Sequence, residues 1–459
     1  MSLRETRRRL DIPSATLRRL VGEHPDLFPV LFDSAAAGSR SMLAAMPGGL
    51  LGVDREGRLV VEGDVPAAVA AQGRAGGFLA ALDAWWRSVH SEAPHGGGLA
   101  GGWVVYLGYE MAQEIEPRLR LPRGSLPWRA LALRVRAALE HDLAGDVIEA
   151  VAAPGSEALL PAIEQLARAA AAEQPASPGF PRGAAQIRIE EEPPERFLER
   201  VAQAQEHIRA GDIYQANLSR WWRAPWPEGD AYALYERLCA ANPAPFAAFA
   251  RLRGMDILSS SPERLLQVAA REASTRPIAG TRPRSRVPGE DSTEAAALTA
   301  HPKERAEHVM LIDLERNDLG RICKPGSVRV DEFMVVESYA HVHHIVSNVR
   351  GTLRDEVTPV DALRAVFPGG TITGVPKVRC MEIIAALEGA GRDAYTGSLG
   401  WIATNGDADF NILIRTLTLA DGRIEARAGA GIVADSEAGR ELEETRAKAR
   451  GLLAALEEP

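Results

Sequence analysis

A chain of 459 residues, 46% apolar and 25% charged, has the composition of a globular protein of two or three domains with room for a large core. Its net charge of −9 gives a nucleic acid no electrostatic footprint, and a negatively charged small ligand would need a locally positive pocket. The three cysteines, Cys239, Cys323 and Cys380, lie far apart without a CxxC or Cys/His cluster, which fits a reducing cytosol and argues against a zinc site of ordinary spacing.

The N-terminal MSLRETRRRLDIP lacks an apolar run, and the longest apolar stretches, such as that around Gly102 to Leu107, fall far short of the ~20 residues of a membrane span. A cytoplasmic protein without membrane or nucleic-acid partners is therefore expected. Arg7 to Arg9, flanked by Glu5 and Asp11, reads as a solvated helix end. Up to residue 172, helix-like stretches at Gly77 to Val89 and Pro161 to Glu173 mix with strand-like runs at Trp103 to Tyr106 and Val147 to Ala152. Pro175, Pro178, Pro181, Pro193 and Pro194 then interrupt the pattern, which makes 173–195 a linker or long crossing loop between an N-terminal region, 1–172, and a C-terminal one, 196–459.

Pro194 to Ala210 has helical periodicity through Phe197, Val201 and Ile208 and stops at Gly211 before an apolar, strand-like segment. Alternating runs at Asp256 to Ser260, Arg264 to Val268, Met334 to Val336 and His344 to Val349 predict antiparallel strands separated by helices. No period repeats, which argues against a solenoid or propeller. In the helix predicted within residues 301–320, Glu304 and Glu307 share a face; in that within 436–456, Glu441, Glu444 and Lys448 share another, while Leu442, Leu452 and Leu453 can face elsewhere. On spacing alone both acidic pairs read as solvated faces.

Two glycine-rich strings bear on nucleotide binding. In FPGGTITGVPK, Gly369 and Gly374 have P-loop spacing, but Val375 follows and Lys377 arrives two positions late. GAGIVA, from Gly429, meets the loose dinucleotide fingerprint after a strand-like Arg423 to Arg427 and before a helix, yet no second strand follows it. What survives is a backbone that can approach an anion, since Gly429 and Gly431 have no Cβ to obstruct their amides. In RPIAGTRPR, residues 276–284, two prolines stiffen a loop carrying Thr281, Arg282 and Arg284. His344, in HVHHIVSNVRG, reads by itself as a satisfied core or strand histidine.

Taken together, GDIYQANLS, SSSPERLL, RPIAGTRPR, HPKERAEHVMLIDLERNDLG, FPGGTITGVPKVRCMEII, DFNILIRTLTL, GAGIVADS and ETRAKA resemble, in order over about residues 190–455, the chorismate-utilising enzyme family. That family includes anthranilate synthase large subunits, aminodeoxychorismate synthase component I, isochorismate synthases and salicylate synthases. VLFDSAAAGSR, 30–40, and GGWVVYLGYEMAQEIEP, 101–117, resemble its amino-transferring branch, where they help form a pocket that binds tryptophan in many relatives. Here Asp33-Ser34 departs from the Glu-Ser of tryptophan-inhibited members. The resemblance implies an α+β fold: two large antiparallel sheets packed as a sandwich with flanking helices, the N-terminal region docked on the same body and 196–459 binding chorismate.

It also implies a site. Glu307 and Glu444 match the residues that hold Mg²⁺ in relatives, with Glu304 and Glu441 close by as direct or water-mediated ligands; such an ion binds few carboxylates and can clamp one from the substrate. Tyr395, Arg415, the amides near Gly429 and Gly431, and Lys448 match the groups that take chorismate's other carboxylate. Glu263 matches the general acid that protonates the departing 4-hydroxyl, a role that burial favours by raising its pKa. Gln215 stands where water-adding relatives carry a lysine base, so ammonia is the implied nucleophile.

Ala279 stands where many aminodeoxychorismate synthases carry a lysine that attacks C2, which closes the covalent route; Thr281 in the same string is grouped with the catalytic residues. The strings GGTITG, with Thr371 at a substrate-contact position where serine is frequent, YTGSLGW, GYEMAQEIEP and HVHHIVSNVRG point to 4-amino-4-deoxychorismate, a folate precursor, as product, and anthranilate is the alternative. His344 would orient substrate in the first reaction and remove the C2 proton in the second. No GxCxG glutaminase string occurs, so ammonia must come from solution or from glutamine through a separate class I glutamine amidotransferase. A reading from another class is a non-catalytic chorismate- or tryptophan-binding regulator.

Overall fold

The computed structural model describes residues 5–33, 40–90, 98–172, 188–226, 230–284, 302–338 and 342–457, with five isolated positions between 289 and 298. Ser34 and the side chain of Thr281 lie outside the described residues, as does the first part of the proline-rich segment, 173–187.

Two 15-residue strands, Arg40–Asp54 and Trp128–Asp142, organise the rest. They pair antiparallel along their length, with a register shift between Pro47 and Gly49 beside Met46, whose φ is +53°. On one side of this shift the paired strands lead, through Val30–Asp33, to Phe246–Arg251, Met255–Ser261, Thr416–Ala420, Arg423–Ile432 and Gln215–Pro225. On the other side they lead, through Trp103–Leu107, to Ser398–Ile402, Ala408–Asn411, Arg264–Ala269, Glu272–Thr275 and Val342–Thr352. The last of these also pairs with Ile278–Pro283 and Arg329–Ser338. These pairings are all antiparallel and run as one continuous ladder through the long pair, its two wings forming the two large sheets of an α+β sandwich.

Period-two alternation sorts the side chains. Leu131, Leu133, Val104, Tyr106, Ala248, Ala250, Ile257 and Leu399 meet between the sheets. Their chain neighbours Ala130, Ala132, Val105 and Leu107 face the opposite way, under Ala67–Val89 and Pro359–Val366. Leu139, Phe249, Leu258 and Leu417 pack under Ala15–Glu23, Leu160–Ala172, Ala231–Ala241 and Ala438–Ala454. Because both faces are covered, the strands are apolar nearly throughout, and each fully buried large aliphatic or aromatic side chain contributes ~1.5–3 kcal/mol.

The structure corrects or extends four local expectations. Arg7 to Arg9 lie in a strand, Thr6–Leu10, paired with Val147–Ala152; Arg7 reaches Glu140 at 3.1 Å and Glu149 at 3.0 Å, so neighbouring carboxylates rather than a helix terminus hold the charges. RPIAGTRPR is mostly strand, with Gly280 at φ +66° and a register shift between Ala279 and Thr281. The strand-like Arg423 to Arg427 runs on to Ile432, so Gly429 and Gly431 lie inside the strand, opposite Ser219 and Asn217. The helix expected at Gly77 to Val89 begins at Ala67 and kinks at Gly77, φ +86°, where the Glu114 carboxylate accepts the amides of Phe78 and Leu79 at 3.0 and 2.7 Å. Among the described residues no helix is long and apolar enough to cross a membrane.

Candidate active site

The inner face of Arg423–Ile432 changes character along its length. Ile424, Ala426 and Ala428 pack outward, which leaves Glu425, Arg427, Gly429 and Gly431 facing in. A Cβ on Gly429 would stand 2.6 Å from the Leu218 carbonyl and 2.7 Å from both Asn217 Oδ1 and the Tyr395 hydroxyl; one on Gly431 would strike Gln215 Nε2. Glycine is needed here for space. Among the described residues, Gln215 Oε1 and Asn217 Oδ1 are buried without a hydrogen-bond partner, as expected of groups that a polar ligand completes.

Three further groups frame this cradle. Lys448 donates to the Gly429 carbonyl at 3.0 Å and pairs with Glu444 at 2.6 Å. Arg415, at φ +53°, donates to the Lys448 carbonyl at 3.0 Å, and burial lowers its pKa while Tyr395 and Glu444 oppose that shift. Burial pushes the Tyr395 phenol up to about 12, which keeps it a neutral donor. Two cations and a phenol thus gather in a protein of negative net charge, the local positive pocket that an anion requires.

Glu263 sits where Met255–Ser261 passes into Arg264–Ala269. The Ser261 hydroxyl donates to the Ile412 carbonyl at 2.6 Å and accepts the Glu263 amide at 3.2 Å, while the Glu263 carbonyl accepts the Ile412 amide at 3.0 Å. Its carboxyl accepts the Thr371 hydroxyl at 2.7 Å. Burial, aided by the nearby Glu315 charge, pushes this carboxyl up to about 8; the Thr371 hydrogen bond and the Lys448 charge act the other way. A carboxylic acid that still carries its proton at neutral pH can donate it. The influence of Lys448 also places Glu263 beside the glycine cradle.

His344 pairs in register with Thr281, and its Nδ1 lies 3.2 Å from the Gly280 carbonyl. Burial, helped by the charges of Arg415 and Lys448 and opposed by the hydrogen bond to Gly280, pulls its pKa down to about 4. The ring is therefore neutral at pH 7. If Nδ1 donates to Gly280, Nε2 carries the lone pair. Ala279 lies opposite Ile345 and offers no nucleophile.

The two acidic helices approach this cleft from different sides. A Cβ on Gly280 would lie 2.8 Å from Glu304 Oε2, which puts the helix Pro302–Gly320 against the carbonyl that His344 faces. Glu444, on Ala438–Ala454, is tied to Lys448, whose charge His344 senses. Glu307 and Glu441 are half-buried one helical turn from Glu304 and Glu444. Carboxylate oxygens are the donors a hard cation prefers. Among the described residues, however, no three acidic, histidine or cysteine side chains are gathered around one point. The four carboxylates therefore do not form a protein cage, and an ion bound here would have to be completed by water and substrate oxygens.

Sequence reasoning passed over several buried groups. Glu315, raised to about 7 by burial and by Asp318, lies behind Glu263, and Lys377 reaches Asp318 at 2.5 Å. Glu315 and Asp318 repeat the three-residue spacing of Glu304 and Glu307 on the same helix, a signal that was available. Lys377 drew notice only as a misplaced P-loop lysine. Arg392 and Glu388, both buried, form a bidentate pair at 2.9 and 2.7 Å, foreshadowed only by their four-residue spacing. Asp33, bound by Arg18 at 2.8 Å, lines a separate cavity of about 440 Å³ with Phe246, Arg264 and Trp401.

Comparison with known proteins places the chain in a family. Residues 51–454 match the chorismate binding enzyme family. An anthranilate synthase component I-like protein of Synechocystis is 49% identical over 258 residues, 56% of this chain and 53% of that protein. Aminodeoxychorismate synthase component 1 of Bacillus subtilis is 48% identical over 261 residues, 57% of this chain and 55% of that protein. Each alignment spans about half the length of the relative it matches. The crystal structure of anthranilate synthase component I from Streptococcus pneumoniae superposes with a TM-score of 0.77 at 30% identity, covering 90% of this chain and 92% of that one. With a match that runs through both sheets and every element of the cleft, the chain belongs to the chorismate binding enzymes.

Proposed function

We propose that the protein aminates chorismate at C4, yielding 4-amino-4-deoxychorismate and water, with ammonia supplied by a class I glutamine amidotransferase. The observation that carries this reading is the buried Glu263 carboxyl, kept protonated at neutral pH beside a pocket of cations and amides. Glu263 donates its proton to the 4-hydroxyl, and the C4–O bond breaks to release water. Ammonia then forms the C4–N bond, and the proton shed by the new ammonium recharges Glu263. The amide of Gln215 cannot deprotonate water, which favours ammonia as the nucleophile. Mg²⁺ held by Glu307 and Glu444, with Glu304 and Glu441 in support, would neutralise one substrate carboxylate. Lys448, Arg415, Tyr395 and the glycine cradle receive the other.

Anthranilate is the second reading, and His344 favours it. A neutral imidazole with Nδ1 turned to a carbonyl has the tautomer needed to take the C2 proton. Purified protein with chorismate, Mg²⁺ and an ammonium salt decides between the two: anthranilate fluoresces directly, whereas 4-amino-4-deoxychorismate yields 4-aminobenzoate only after a lyase is added. Chorismate left unconsumed at every ammonia concentration would refute both.

A further inference from the structure

The groups assigned to acid delivery and those assigned to carboxylate binding come from chain segments far apart, and one buried ion pair touches chain neighbours or sheet partners on both sides. Arg392, 2% exposed, donates Nη2 to the Asn217 carbonyl at 2.7 Å and Nη1 to the Ile372 carbonyl at 3.2 Å. Asn217 carries the orphaned Oδ1 of the cradle, and Ile372 follows Thr371, the hydroxyl that binds Glu263. The guanidinium also lies 5.6 Å from the centre of the Tyr395 ring. Its partner Glu388 accepts both the amide and the hydroxyl of Ser219, at 2.8 and 3.0 Å, and Ser219 stands opposite Gly429 in the sheet.

We propose that Arg392, locked by Glu388, is the positioning residue that keeps the acid side and the carboxylate side of the pocket in register; this role rests on the functional reading above. The guanidinium suits the task because its planar fork can hold two carbonyls and a carboxylate at once, which a lysine ammonium at the end of a flexible stem cannot. It acts through other residues rather than as a catalytic residue, since its guanidinium donors are spent on the Glu388 carboxylate and on the Asn217 and Ile372 carbonyls. Ordinary core stabilisation would predict effects on melting alone. Positioning predicts effects on both kinetic constants and on the proton donor.

The test compares Arg392→Lys with Ile384→Val, which perturbs the helix that carries Glu388, Lys377–Glu388, in the apolar cluster around Phe197. At a matched loss of melting temperature, Arg392→Lys should lower kcat by roughly tenfold or more, raise KM for chorismate, and move the alkaline limb of the pH–rate profile as Thr371 loosens from Glu263. Should that variant fail to fold, Ser219→Ala, which leaves the ion pair intact, should still raise KM by roughly threefold. Kinetics of Arg392→Lys indistinguishable from those of Ile384→Val, or an unfolded Arg392→Lys together with an unchanged KM in Ser219→Ala, would overturn the proposal. A wild-type protein that does not turn over chorismate sinks the functional reading itself, and the role with it.

Discussion

Thr371 donates its hydroxyl to Glu263 across 2.7 Å, so a loop 108 residues further along the chain orients the carboxyl proposed as proton donor. With the carboxyl held at about 8, turnover should fall as pH rises through that value. Glu263→Gln should lose ~10²–10⁴ in kcat while still binding chorismate. Stability gives an independent check. The folded carboxyl titrates above its ordinary value of 4.5, so the folded state holds the extra proton between 4.5 and about 8. Stability is complete below 4.5 and lost as pH rises through 8. Glu263→Gln should therefore gain on the wild type in melts at pH 9, by at most about 5 kcal/mol, and not at pH 4. An equal difference at both pH values would contradict the buried-acid assignment.

The glycine cradle makes a graded prediction. A methyl at Gly429 meets the Leu218 carbonyl, fixed in the sheet ladder, whereas one at Gly431 meets the mobile end of Gln215. Gly429→Ala should raise KM for chorismate by ~10–100-fold and Gly431→Ala by much less. Equal penalties would mean that the cradle does not shape the pocket.

Glu444 and Lys448 touch, yet their proposed roles differ. Glu444→Gln should shift the Mg²⁺ titration of activity to higher concentration and lower the rate by ~10²-fold at fixed Mg²⁺. Lys448→Met should raise KM for chorismate without moving that titration. If both variants move it equally, the pair acts as one electrostatic unit rather than as ligand and clamp.

Ala279 precedes the bulge at Gly280 and lies beside the His344 strand. Ala279→Lys should introduce an amine able to attack the ring, altering the product ratio or leaving an adduct visible by mass spectrometry. An unaltered product profile with no adduct would show the position to be silent.

The parts of this structure that sequence made legible are those where local pattern and environment agree. The acidic helix appears as Pro302–Gly320, and the strand-like Asp256 to Ser260 appears within Met255–Ser261, because helical spacing and period-two alternation match the faces those elements bury. Arg7 to Arg9 misled because charged side chains on a strand depend on distant partners such as Glu149, which no local pattern encodes. The GAGIVA string was harder still: glycines that meet a dinucleotide fingerprint serve in a strand because Tyr395 and Asn217 crowd its inner face. Arg392 was invisible for the same reason, since its importance lies in carbonyls contributed by Asn217 and Ile372. Family resemblance supplied the candidate residues, and the coordinates supplied their neighbours.

The long pair Arg40–Asp54 and Trp128–Asp142 carries a consequence for any attempt to shorten the protein. Val30–Asp33 protects the flank of Phe246–Arg251, and Trp103–Leu107 protects that of Ser398–Ile402. A fragment starting after residue 172 would bare two rows of backbone donors and acceptors at once, each an adhesive template for strands of other molecules. Such a truncate should be lost to insoluble deposits rather than survive as a minimal catalyst.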